Sequence, residues 1–151
     1  MNPNINNSII FHAAFPVKDI AATKSFYVDK LGADSGRETA ASIILNFYGH
    51  QLVAHVTKNE LKPQGSIYPR HLGLIFTNEE DFDEMEKKIK NANINFLEKP
   101  KTRFIGKQTE HRTMFIEDPF HNLLEFKFYK YPDAIWEKIE DASIGDPEAE
   151  N

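Results

Sequence analysis

Apolar residues along this chain fall into short runs with two different periods, and the periods alternate. Residues Ser8–Val17 read as a strand, with Ile9, Ile10, Phe11 and Phe15 as its apolar bulk. Asp19 follows as an N-cap, because its carboxylate can accept the unpaired amide hydrogens of a first helical turn. The helix is predicted from Ile20 to about Leu31, with Phe26, Tyr27 and Leu31 as its buried stripe and Gly32 as a left-handed C-cap. Two or three short strands come next, among them Ser42–Phe47 and Gln51–Thr57 around the turn Tyr48-Gly49-His50. Lys58–Arg70, with two prolines and a glycine, reads as a linker.

The order then starts again. Arg70–Thr77 is predicted as a strand and Asn78 as a cap. Glu79–Ala92 is an amphipathic helix with Phe82, Met85 and Ile89 on one face. Ile94–Leu97 is a short strand, Lys101–Arg112 a loop, and Thr113–Glu117 and Leu123–Phe128 flank a turn at Asp118–Asn122, where Asn122 suits left-handed backbone. His12 stands seven residues before Asp19, and His71 seven residues before Asn78. That matched spacing argues for two copies of a β-α-β-β-β unit rather than chance alternation. The expected domain is 8–131, with module 1 at about 8–57 and module 2 at about 70–131. Residues 132–151 form an acidic tail in which Ile135, Trp136 and Ile139 supply a short docking helix; beyond Asp141 disorder is expected.

Strand side chains alternate between faces. With Leu72, Leu74 and Phe76 toward the helix, His71, Gly73 and Ile75 take the other face. With Phe11 and Phe15 toward the helix, His12 and Ala14 lie opposite; with Leu124, Phe126 and Phe128 on the apolar side, Glu125 lies opposite. Taken singly, a strand histidine is usually structural and a strand glutamate usually a salt-bridge partner, here to Lys127. Together they form a two-imidazole, one-carboxylate set, which a divalent cation accepts with positions left open.

Composition narrows the partners. The 151 residues are 40% hydrophobic and 27% charged, with twelve phenylalanines and a net charge of −5. Nothing resembles a basic nucleic-acid footprint, a membrane span or a secretion signal, so a cytoplasmic location is expected. The chain has no cysteine, which removes disulfides, thiolate zinc sites and cysteine nucleophiles.

Three segments carry a resemblance: FHAAFPVKDIAATKSFYVDKLGA, RHLGLIF and MFIEDPFHNLLEF. Together, over roughly residues 9–130, they resemble the vicinal oxygen chelate superfamily, which includes glyoxalase I, extradiol dioxygenases, epimerases, and fosfomycin- and bleomycin-resistance proteins. The pattern, including GHQLVAH, is most similar to an extradiol-dioxygenase-like branch. The resemblance implies an α+β fold of two β-α-β-β-β modules cupped around a metal, and a homodimer. It implies His12, His71 and Glu125 as ligands of a divalent ion, Fe(II) first, with Mn(II), Zn(II) or Ni(II) as alternatives. It also implies a small substrate that chelates the ion through vicinal oxygens. Dioxygenase chemistry leads; a glyoxalase-type lyase or isomerase and a non-enzymatic, bleomycin-resistance-like binding protein are the alternatives.

Two positions depart from the family pattern. Where glyoxalases add a fourth ligand this chain has Val53, with His55 or Gln51 brought in only by a shifted register. Where extradiol dioxygenases carry an acid/base tyrosine it has Phe115. His55, His111 and Arg112 remain catalytic candidates, and Arg103, Arg112 or His111 could hold an anionic substrate group; the bland reading of these last three is a solvated loop. His50 and His121 fall in turns and are expected to be exposed.

Overall fold

A computed structural model describes residues 8–138 and 144–145. It is of the α+β class, with two four-stranded mixed sheets of the same topology. The chain divides into two compact units, Met1–Lys62 and Pro63–Asn151, at the linker the sequence marks.

In the first unit, β1 (His12–Val17) leads into α1 (Ile20–Lys24), and β2 (Asp34–Glu38), β3 (Ser42–Phe47) and β4 (His50–Val56) follow. The strand order is β1-β4-β3-β2, with β1 parallel to β4 and the other pairs antiparallel. Asp19 caps α1 as expected, its Oδ1 accepting from the Ala22 amide at 2.6 Å. After Lys24 the helix widens into a π-helical stretch, Ser25–Lys30, before Gly32 ends it at φ +83°. The wider turn lets the consecutive Phe26 and Tyr27 both bury, beside Phe15, Leu45 and Phe47. Tyr48 and Gly49 both take positive φ, as a two-residue hairpin between Phe47 and His50 requires.

The first strand is shorter than the sequence suggests. Ile9, Ile10 and Phe11 are 69%, 64% and 59% exposed and lie ahead of β1, so they add nothing to the core.

The second unit repeats the plan with β5 (Leu72–Phe76), α2 (Glu79–Asn91), β6 (Phe96–Arg103), β7 (His111–Glu117) and β8 (Leu123–Tyr129), in sheet order β5-β8-β7-β6. Asn78 caps α2 through the Asp81 amide at 2.9 Å, and Phe82, Met85 and Ile89 bury against Met114, Ile116, Leu124 and Phe126. β6 runs through Lys101–Arg103, which the sequence places in a loop, and His111 and Arg112 open β7. In the β7–β8 turn His121, not Asn122, takes the left-handed conformation; Asn122 bonds Asp118 instead. The docking helix is a short 3-10 turn, Pro132–Ile135, whose neighbour Trp136 is 69% exposed. Ile139 lies outside the described residues, as does the tail beyond Asp141 except Ile144 and Gly145. No described helix is long and apolar enough to cross a membrane.

Candidate metal centre

Two of the three expected ligands meet in the second unit. β5 and β8 run parallel with Gly73 opposite Glu125, so His71, two residues earlier, shares the Glu125 face. The strands approach so closely there that a Cβ at residue 73 would stand 1.6 Å from the Glu125 carbonyl oxygen. Glycine is therefore a condition of the site, and more than a source of room beside His71.

His71 Nε2 lies 2.9 Å from Glu125 Oε2, and its Nδ1–H donates to the Ile67 carbonyl at 2.7 Å. With Nδ1 committed, Nε2 is the nitrogen left to bind a cation. Glu125 is 5% exposed; its Oε1 accepts from Thr113 Oγ1 at 3.0 Å and faces Lys127 Nζ at 3.1 Å. The Phe115 ring meets His71 edge-on at 5.1 Å, which closes the dyad on its apolar side.

The hydrogen bond that His71 donates to Glu125 raises the His71 pKa above its ordinary value, against the opposing effect of burial. Burial alone pushes Glu125 up, but the His71 bond and the Lys127 charge overcome it and hold the carboxyl below its ordinary value. A carboxylate and an imidazole thus face each other at 2.9 Å, each favouring the charged form of the other. Each has its outer atoms already fixed by neighbours, and this is the donor chemistry a divalent cation uses. Lys127 holds the same carboxylate from its other oxygen.

His12 belongs to the first unit. It is exposed and its Nδ1 lies 2.8 Å from Gln51 Oε1, so the amide oxygen holds Nδ1–H and leaves Nε2 open, as the Ile67 carbonyl does for His71. The β1–β4 register pairs His12 with Gln51, Ala14 with Val53 and Pro16 with His55. It is unshifted, so His55 sits four residues along from His12's partner and is exposed. The register shift that would bring in His55 is therefore not made, and Gln51 is the polar neighbour of His12. Among the described residues no three His, Asp or Glu side chains form a ready metal-holding group.

The remaining candidates separate by face. Arg112 points to the helix side, where Asp83 (2.7 Å), Glu79 (3.0 Å) and Glu86 (3.5 Å) hold it over the Phe82 ring. It fastens α2 to the sheet. His111 faces the Glu125 side and is 4% exposed, packed against Tyr129 and Phe104. Its Nδ1–H donates to the Thr109 carbonyl at 2.9 Å and its Nε2 is buried with no hydrogen-bond partner. Burial first, then the Lys127 and Arg103 charges, lower its pKa and favour the neutral ring. Arg103 is buried on the same face, opposite His111 in register. His50 accepts from the Phe11 amide at 3.3 Å, and His121 bonds Glu117 at 3.0 Å; both are half-buried rather than exposed, and His50 opens β4 instead of lying in the turn. Sequence reasoning missed Thr113 and the Ile67 carbonyl. Strand parity with Phe115 marks Thr113, whereas a backbone carbonyl in a linker leaves no sequence signal.

No curated protein matches the chain. Among solved structures, a glyoxalase/bleomycin resistance protein/dioxygenase from Alicyclobacillus acidocaldarius is 38% identical with a TM-score of 0.82, covering 87% of this chain and 98% of that one. The fosfomycin resistance protein FosX from Listeria monocytogenes (17% identity, TM-score 0.64, 83% of this chain and 97% of that one) shares the fold. So does a lactoylglutathione lyase from Agrobacterium tumefaciens (15%, 0.62, 87% and 98%). Residues 9–126 match the glyoxalase/bleomycin resistance protein/dioxygenase superfamily as a whole, and the chain belongs to that superfamily.

Proposed function

We propose that this chain is a divalent-metal enzyme that binds a small substrate through two vicinal oxygens, with His12, His71 and Glu125 as the ligands. Fe(II) is the first choice of ion, ahead of Mn(II), Zn(II) and Ni(II). The observation that carries this is the His71–Glu125 pair at 2.9 Å, with each partner's remaining polar atoms held by Ile67, Thr113 and Lys127. A buried carboxylate facing an imidazole whose other nitrogen is locked is the arrangement of a ligand set rather than of an ordinary ion pair. The superfamily is generally divalent-metal dependent, and its members bind small molecules and often pair as dimers. A homodimer is proposed here too, with light scattering as its test.

The ion would supply Lewis acidity and, if it is iron, the redox chemistry of a dioxygenase. This chain's own residues do the rest. Phe115 keeps water from the apolar side of the dyad. Thr113 and Lys127 fix the carboxylate. His111 presents a bare Nε2 on this face, four residues along β7 from the Phe115 level, or roughly 13 Å from it. Phe115 in place of a tyrosine is the observation that favours the second reading, a lyase or isomerase that moves a proton without oxygen.

Calorimetric titration with Zn(II) tests the centre. The wild type should bind one ion, and Glu125→Ala, His71→Ala and His12→Ala should each weaken it at least tenfold. Equal affinity in wild type and Glu125→Ala sinks the proposal. Oxygen uptake by anaerobically Fe(II)-loaded protein with a catechol panel then separates the two chemistries: none across the panel removes the dioxygenase.

A further inference from the structure

Lys127 lies on the Glu125 face of β8, two residues further along the strand. Its Nζ stands 3.1 Å from Glu125 Oε1, whereas His71 Nε2 faces Oε2 at 2.9 Å. The ammonium and the proposed ion therefore flank one carboxylate, each on its own oxygen. An ammonium carries three N–H donors, and among the described residues Glu125 is the carboxylate that reaches this one. The Lys127 side chain is 24% exposed, so its remaining donors are open to a ligand.

The charges around it say what that ligand is. Directly paired residues of neighbouring strands share a face. Lys101, Arg103 and Lys127 therefore stand on this side of the sheet with Glu98, Glu117 and Glu125. Lys101 and Arg103 share Glu98 at 3.1 and 3.8 Å, and His121 holds Glu117 at 3.0 Å. His111, favoured as the neutral ring, adds no charge. Among the described residues three cations thus meet three carboxylates on this face, and it is balanced. A divalent ion on Glu125 adds two positive charges that nothing on the face offsets, in a half-buried setting where unpaired charge is costly. Lys127 is the cation of the three beside Glu125, with donors to spare.

We propose that the substrate of this centre carries, next to its chelating oxygens, a carboxylate or other oxyanion, which Lys127 binds while keeping its hold on Glu125. The inference rests on the metal reading above. Metal–oxygen contacts of about 2.1 Å and charge-assisted hydrogen bonds of about 2.8 Å bring such a group within roughly 6 Å of the ion. Two or three bonds between the oxyanion and the chelating group span that interval.

Hydroxamates, which chelate metals, provide the probes. Calorimetry on the Zn(II)-loaded full chain would compare acetohydroxamate, the carboxylate-ended monohydroxamate of succinic acid, the primary amide of that compound, and the ammonium-ended hydroxamate of β-alanine. The carboxylate should bind about tenfold tighter than the amide, the gain of one charge-assisted hydrogen bond. The ratio of these two within each protein is the readout, so a change in Zn(II) affinity cancels. Lys127→Met should reduce the ratio to about twofold, which is the attraction of the ion alone, and Lys127→Arg should retain most of it. In wild type isotope-labelled at lysine, the Lys127 ammonium resonance should shift with the carboxylate and not with the amide, a readout that needs no folded variant. Equal binding of carboxylate and amide overturns the proposal, as does a preference that Lys127→Met leaves intact; in both cases the metal reading stands. An ammonium arm that binds tightest contradicts the charge argument and overturns it too. Failure of acetohydroxamate to bind the loaded protein overturns both readings.

Discussion

Replacing Gly73 by alanine tests the close approach on which the dyad depends. An added Cβ would lie 1.6 Å from the Glu125 carbonyl oxygen, 2.6 Å from its carbon and 2.9 Å from its amide nitrogen. Relief to ordinary contact requires a separation of about 2 Å, because non-bonded heavy atoms rest near 3.5 Å. All three atoms are backbone, so no rotamer can yield, and β5 must move off β8. Loss of about two ladder hydrogen bonds costs about 2 kcal/mol, and residual overpacking adds 1–3 kcal/mol, roughly. Alanine's lower unfolded-state entropy returns about 0.4–1 kcal/mol, so a net loss of about 3 kcal/mol is predicted. With a urea slope of about 2 kcal/mol/M, the midpoint followed by far-ultraviolet circular dichroism should fall by about 1.5 M. Gly49→Ala is the contrast. No atom lies within 4 Å of its new Cβ, and only the φ of +90° opposes it, so its cost should be about 1 kcal/mol. A Gly73→Ala midpoint equal to or above that of the wild type would refute the steric reasoning. In the same variant Zn(II) affinity should fall, since Glu125 moves with its backbone.

Thr113→Val removes the hydroxyl that holds Glu125 Oε1 at 3.0 Å; Zn(II) affinity should fall about tenfold while the circular dichroism spectrum is unchanged. Arg112→Met keeps the stem over Phe82 and discards three acidic partners, so thermal or urea stability should drop by about 1 kcal/mol with metal affinity intact. The lowered pKa of His111 gives a pH slope. Its contribution is fully present above its ordinary 6.5 and is lost as pH falls below that through the lowered folded value, because the unfolded chain then binds the extra proton. His71, raised, works in the opposite sense, with stability present below 6.5 and lost as pH rises. The His111 slope should therefore be steepest in His71→Gln and absent from the His71→Gln/His111→Phe double variant, as urea midpoints between pH 5 and 7.5 would record.

The features legible in the sequence are those with a local cause. The Asp19 and Asn78 caps, the Phe82–Met85–Ile89 stripe, the Tyr48-Gly49 hairpin and the alternation that puts His71 and Glu125 on one face each follow from chemistry within a few residues. β2 is different: all five of its residues are exposed, so no apolar alternation marks it, and pairing with β3 alone makes it a strand. β6 is legible only at its start, since the strand expected at Ile94–Leu97 overlaps it while Lys101–Arg103 read as loop although the ladder to β7 continues to Arg103. The π-helical stretch is likewise tertiary in origin, a widening that lets two adjacent aromatics reach one core. The α2 partners of Arg112 follow from the face of β7 it occupies, and that face cannot be read once the strand's start is taken for a loop.

The two registers explain why a repeated unit yields an unequal set of the proposed ligands. In the second unit the carboxylate lies opposite the residue two past the histidine: His71, then Gly73 against Glu125. The same step in the first unit runs from His12 to Ala14, which lies against Val53. Each unit thus offers one imidazole with its Nδ1 held by an oxygen, but only the second offers a carboxylate, and only there is the partner strand's residue a glycine. Val53→Glu is the substitution that would restore the symmetry. In the first unit it places a second carboxylate where the second unit has Glu125, and if the registers govern ligation it should tighten Zn(II) binding. No gain in affinity, in a variant whose circular dichroism matches the wild type, would mean that strand register alone does not decide which residues reach the ion.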